Sequence, residues 1–159
     1  MGRQDGLKQR YYQLVEEQMG SKMNVDAIKF PVICFWKDFI RIKQSYEDII
    51  ITTKAGLKNK MFDDLLVVDS NSHAFKILNA KKLHGVGSFW GYNIFLNQKI
   101  KVELEFEGDP IKFSIDDIKK KVFHSFRKWH GWRARGDFKE LYEKVKNAQS
   151  ISEIIELLS

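Results

Sequence analysis

The chain has 159 residues, the size of one ordinary domain, and 43% of them are hydrophobic and 13% aromatic. That is enough apolar surface to close a core, which excludes disorder as the main state. The longest unbroken apolar run, Val32 to Trp36, is too short for a membrane-spanning helix, and the single cysteine, Cys34, excludes an internal disulfide or a cysteine-based zinc site. The formal charge is +6, from 27 Lys and Arg against 21 Asp and Glu, but it is not spread evenly. The 19 residues between Asp117 and Asp137 hold no acid and carry Lys119, Lys120, Lys121, Arg127, Lys128, Arg133 and Arg135. The other 140 residues carry 20 basic and 21 acidic groups, so the basicity is concentrated in one segment. Arg3, Lys8 and Arg10 lie near the start, but Glu and Gln stand where a signal peptide needs its apolar stretch, and no myristoylation pattern follows Met1-Gly2. The expectation is a soluble, cytoplasmic protein.

In chain order, Leu7, Tyr11, Leu14, Val15 and Met19 recur at helical spacing, and Gly20-Ser21 is a stop. A helix is expected over about residues 6–19. From about residue 28 the period becomes two, so a sheet is expected over about 28–113. Ile28, Phe30 and Val32 read as a strand pushed to an edge by Pro31, followed by Phe39–Lys43 and the β-branched run Ile49–Thr53. Leu65–Asp69, Ser70-Asn71-Ser72 and His73–Leu83 read as a hairpin. In Lys99–Glu107, Ile100, Val102, Leu104 and Phe106 alternate with charged residues, so those four are expected inside and Lys101, Glu103 and Glu105 outside. Such alternation points to an antiparallel or mixed sheet covered on one side only. After the Gly108-Asp109-Pro110 turn, Ile111–Phe113 starts back.

Helices are expected over about residues 115–158. Ser114 is an N-cap with Asp116 and Asp117 in the first turn. Ile115, Ile118, Val122, Phe123, Phe126 and Trp129 share one face, and Lys120, Lys121, His124, Arg127 and Lys128 the opposite one. Lys119 falls in the apolar arc, its stem packed and its amine escaping. Gly131 is expected to end this helix, Asp137 to cap a second, and Ser150 and Glu153 to form a capping box for a third. One α+β domain results, over residues 1–159: an N-terminal helix, a mostly antiparallel sheet of five or six strands, and C-terminal helices packed on one face.

Candidate chemistry is sparse. Glu103, Glu105 and Glu107 share a strand face, as acid–base pairs do, but Lys99 and Lys101 continue the row as on a solvated face. Asp63, Asp64 and Asp69 flank an apolar run as in metal-dependent nucleases, without the lysine those need. Gly85-Val86-Gly87-Ser88-Phe89-Trp90-Gly91 lacks phosphate-loop spacing and reads as a loop that turns aromatics inward. Cys34 between apolar neighbours reads as a buried inert thiol, and His73, His84, His124 and His130 share no metal spacing. No catalytic residue, metal or cofactor is implied.

The basic segment is the candidate site. Lys120, His124, Arg127 and Lys128 lie near one line along the helix, and Trp132, Arg133 and Arg135 follow it. Positive charge beside an aromatic ring suits phosphates and bases, or an anionic protein surface. Trp132 is expected to be exposed as the apolar contact and Trp129 to lie in the core. The alternative is a solvated helix face that does nothing more.

The string Gly87-Ser88-Phe89-Trp90-Gly91-Tyr92-Asn93-Ile94-Phe95-Leu96-Asn97, the alternating strand, Lys128-Trp129-His130-Gly131-Trp132 and the closing Ser150–Leu158 resemble a group of small bacterial proteins, over roughly residues 65–159. Some of that group resemble immunity partners of polymorphic toxins. The resemblance implies a partner-binding inhibitor and brings no catalytic residue. An inhibitor of a basic nuclease favours an acidic face, so this basic segment points instead to an anionic partner. The expected function is a non-enzymatic binding protein, of the immunity-like kind that resemblance implies, using residues 119–135 on an anionic protein surface. A nucleic-acid-binding module using the same surface is the alternative.

Overall fold

The computed structural model describes residues 27–87 and 98–159. The expected helix at 6–19 and most of the glycine-rich loop therefore lie outside the described residues. The elements run β1 (Val32–Trp36), β2 (Phe39–Lys43), α1 (Tyr46–Ile50), β3 (Ile51–Thr53), α2 (Lys54–Lys58), β4 (Leu66–Asp69), β5 (His73–Gly85), β6 (Lys99–Phe106), β7 (Ile111–Lys112), α3 (Ile115–Lys128), α4 (His130–Arg133), α5 (Phe138–Asn147) and α6 (Ile151–Leu158). The class is α+β.

All strand pairs are antiparallel, in the order β2-β1-β4-β5-β6-β3, and β7 also pairs with β5. The length of β5 makes this possible. Its first part pairs with β4 and β7, and from Ile77 onward it pairs with β6. At the β4–β5 turn the buried Asp69 carboxylate accepts the amides of Asn71 at 2.9 Å, His73 at 2.8 Å and Lys29 at 3.2 Å. A charge this deep is tolerated because backbone donors surround it.

The sheet is covered on both sides in its middle, which corrects the expectation of one covered side. Ile33, Phe35, Ile40, Val68 and Ala74 face α3–α6, whereas Val32, Cys34, Val67, Phe75 and Ile77 face a second core with Ile49, Ile50 and Phe62. Successive strand residues point to opposite faces, so a strand buried on both is apolar throughout. That is why Val32–Trp36 carries no polar residue. In β6, Ile100, Val102 and Leu104 are buried and Glu103 and Glu105 exposed, as expected. Phe106 is half-buried, and Lys101 is partly covered because its amine pairs with Glu47 of α1 at 3.1 Å.

Local chemistry accounts for the other differences. Ile28–Pro31 is not a strand; β1 begins at Val32. Ile49 and Ile50 are helical, because Ser45 and Asp48 form a reciprocal capping box that opens α1. Ser114 and Asp117 form the same box on α3. Helix α3 ends at Trp129 rather than Gly131, and Gly131 lies inside α4. A Cβ on Gly131 would stand 2.7 Å from the Trp129 ring, so the glycine permits a close approach. Asp137 makes no cap hydrogen bond; its carboxylate is taken by Arg135. Ser150 caps α6 by accepting the Glu153 amide, but Glu153 reaches back to the Gln149 amide, one residue before the position a capping box requires. Helix α6 is docked through Ile151, Ile154, Ile155 and Leu158. Among the described residues no helix is long and apolar enough to cross a membrane.

Candidate functional site

Helix α3 projects its polar face beside the β1–β2 turn. Two contacts hold turn and helix together: the Ser125 hydroxyl donates to the Asp38 carbonyl, and the His124 ring meets the Asp38 carboxylate at 3.1 Å. Ser125 is buried in an otherwise charged stretch because it serves this carbonyl. Lys37 adopts a positive φ of 52°, so the turn is tight and its amine is placed 5.1 Å from the Trp36 ring centroid. Phe35, Lys37, Lys120, Lys121, His124 and Ser125 line a shallow groove between turn and helix. No acid is among these lining residues.

The expected site residues are not equivalent. Lys120 leans toward Asp117 at 3.7 Å and His124 is held by Asp38, both well exposed. Arg127 and Lys128 are exposed and make no ion pair among the described residues. At 1.5 Å per residue, Lys120 to Lys128 spans about 12 Å of helix. Arg133 is exposed on α4, which the break at Trp129 separates from the α3 face. Arg135 is engaged by the Asp137 carboxylate, with Nε–Oδ1 at 2.9 Å and Nη2–Oδ2 at 2.8 Å. These hydrogen bonds hold Asp137 below the usual carboxylate range. Lys119 stands apart from the groove: its amine donates to the Lys146 carbonyl at 2.8 Å, near the end of α5, as a lysine in an apolar arc should.

Trp132 is not exposed as expected, and Trp129 is only partly inside. Trp132 is 6% exposed and belongs to the core, its ring 5.1 Å from Phe126. Trp129 is half-buried and packs against that core from its rim. The reason is the end of the helix at Trp129, after which α4 starts and turns Trp132 inward. The exposed ring at the turn is instead Phe39, 37% exposed. It stacks on Trp36 at 5.8 Å and meets Trp129 at 5.5 Å. Lys37 and Phe39 were not among the expected residues. The available signal was Trp36-Lys37-Asp38-Phe39, a two-residue turn between apolar strands with a cation at its tip.

The reactive groups weighed from sequence are engaged elsewhere. Cys34 is buried, and desolvation pushes its thiol up to about 12. Asp69 is saturated by amides, Asp63 and Asp64 are exposed, and Glu107 pairs with Lys76 at 2.6 Å. Among the described residues no three His, Cys, Asp or Glu side chains are grouped as a metal site. Comparison with protein families, curated proteins and solved structures finds no match to this chain.

Proposed function

We propose that this chain is a non-enzymatic binding protein that holds an anionic surface of a partner protein against the groove between the β1–β2 turn and α3. One observation carries the reading: among the described residues, Lys37, Lys120, Lys121 and His124 line a groove with no acid in its lining, and Arg127 and Lys128 stand beside it without ion pairs. The rings favour a protein partner over a single strand. Phe39 packs against Trp36 and Trp129, and Lys37 lies over Trp36, so these faces are engaged with each other rather than open as a base-stacking platform. A partly exposed ring two residues from Lys37, stacked on the same Trp36 ring, suits an acidic surface that also carries an apolar residue. A toxin inhibitor, the role the resemblance implies, is one form of such a protein.

Nucleic acid is the second reading, favoured by the unpaired Arg127 and Lys128 on a convex helix face. Both are tested by titrating the protein with a capped acidic peptide carrying one leucine, and with single- and double-stranded oligonucleotides, at two salt concentrations. The expected result is peptide binding that requires both Phe39 and Arg127, with oligonucleotide binding weaker and lost as salt rises. Oligonucleotide binding tighter than the peptide, with a log–log salt slope of several phosphates, would favour nucleic acid. Binding of neither would leave the surface merely solvated.

A further inference from the structure

We propose that the outer edge of β5, from Leu78 to Gly85, is a second docking site, taking an extended acidic segment of another protein as an added strand. Among the described residues, the backbone phase leaves this edge open. The Lys54 amide bonds the Gln98 carbonyl at 2.8 Å, so even-numbered residues of β6 turn toward β3. The Val86 amide bonds the Lys99 carbonyl at 3.0 Å, so odd-numbered ones turn toward β5. Glu103 and Glu105 then meet Lys81 and Asn79, leaving the N–H and C=O of Ala80 and Lys82 pointing away from β6. On that outer side, pairing with β4 stops where the Ile77 amide reaches the Leu65 carbonyl at 3.1 Å. Beyond Ile77 no described strand covers it.

The side chains say what fits. The register shifts fall at Leu78 and Leu83, and these two residues are 59% and 53% exposed. Lysines and bulges blunt an edge against its own kind, but that protection does not call for a large apolar residue at each bulge. Lys81 and Lys82 are exposed and make no ion pair among the described residues, Lys81 even with Glu103 across from it. The sequence from Ser70 to Val102, 33 residues, contains no acid at all. A second copy pairing on this edge would set lysines against lysines, which disfavours it. An acidic strand with apolar flanks meets the lysines with opposite charge and the leucines with surface to bury, while its backbone supplies the missing partners.

The test uses the full chain and a short capped peptide with two adjacent glutamates flanked by valines, read by residue-resolved amide hydrogen exchange. The peptide is expected to bind and to slow exchange at Ala80 and Lys82. The double variant Lys81→Glu/Lys82→Glu should weaken binding about tenfold or more, and N-methylation of the peptide backbone should abolish it. The variant Arg127→Glu/Lys128→Glu should retain it, which separates this edge from the α3 groove. Absence of binding, equal binding of the N-methylated peptide, or binding without protection at Ala80 and Lys82 would overturn the proposal. So would sedimentation showing that the chain self-associates through this edge.

Discussion

Trp132 and Trp129 differ by three positions and by what surrounds them, and that difference is measurable. Trp132 is enclosed by Phe126, Trp129 and the α5 helix, so Trp132→Ala should cost about 3–5 kcal/mol, as lost core aromatics do. Its indole N–H has no hydrogen-bond partner among the described residues, so Trp132→Phe should cost clearly less than Trp132→Ala. Trp129→Ala, at the rim, should cost less than Trp132→Ala and should also disturb Phe39. Denaturant melts of the three variants give the order. Helical periodicity puts Trp129 inside and leaves Trp132, past the expected helix end, outside; both places shift because the chain leaves α3 at Trp129 and no longer obeys a 100° step. Cys34 was readable from its apolar neighbours alone. With its thiol raised to about 12, it should resist alkylation in the native protein near neutral pH and react only after unfolding.

Elements bounded by chemistry written into adjacent residues were the legible ones. Ser114 announced α3, and its hydroxyl and backbone hydrogen bonds hold Asp117 below the usual carboxylate range. A lowered carboxyl stabilises the fold above its ordinary value, and the contribution is lost as pH falls through the lowered one. Ser114 is the N-cap of α3, so Ser114→Ala should cost about 1 kcal/mol near neutrality. The stability gap between Asp117→Asn and the parent should close as the solution is acidified, which melts across an acid pH series will show. The α6 stripe of Ile151, Ile154, Ile155 and Leu158 was likewise plain, and Ile154→Ala should cost about 2–5 kcal/mol. Deleting residues 151–159 should abolish cooperative unfolding. Less legible was α1, whose Ser45–Asp48 box was masked by a β-branched run that reads equally as strand. The register shifts in β5 were not legible, because a bulge changes no residue type, only what stands opposite it.

At the scale of the molecule, the sheet separates two cores and leaves its charge on different rims. The C-terminal helices close one core, and the polar side of α3 then becomes a cationic wall beside the β1–β2 turn. The concentration of charge in residues 118–136 was visible in the sequence; Lys37 and Phe39 were not, because only folding brings residues so distant along the chain to α3. Arg127 and Lys128 decide the matter most directly, since both are exposed and neither makes an ion pair among the described residues. The measurement is calorimetric titration of Arg127→Glu/Lys128→Glu with the leucine-bearing acidic peptide, beside a thermal melt of the same protein. The expected result is peptide binding weakened about tenfold or more, with stability within about 0.5 kcal/mol of the parent. Binding equal to the parent at unchanged stability would contradict a role for this surface in holding a partner.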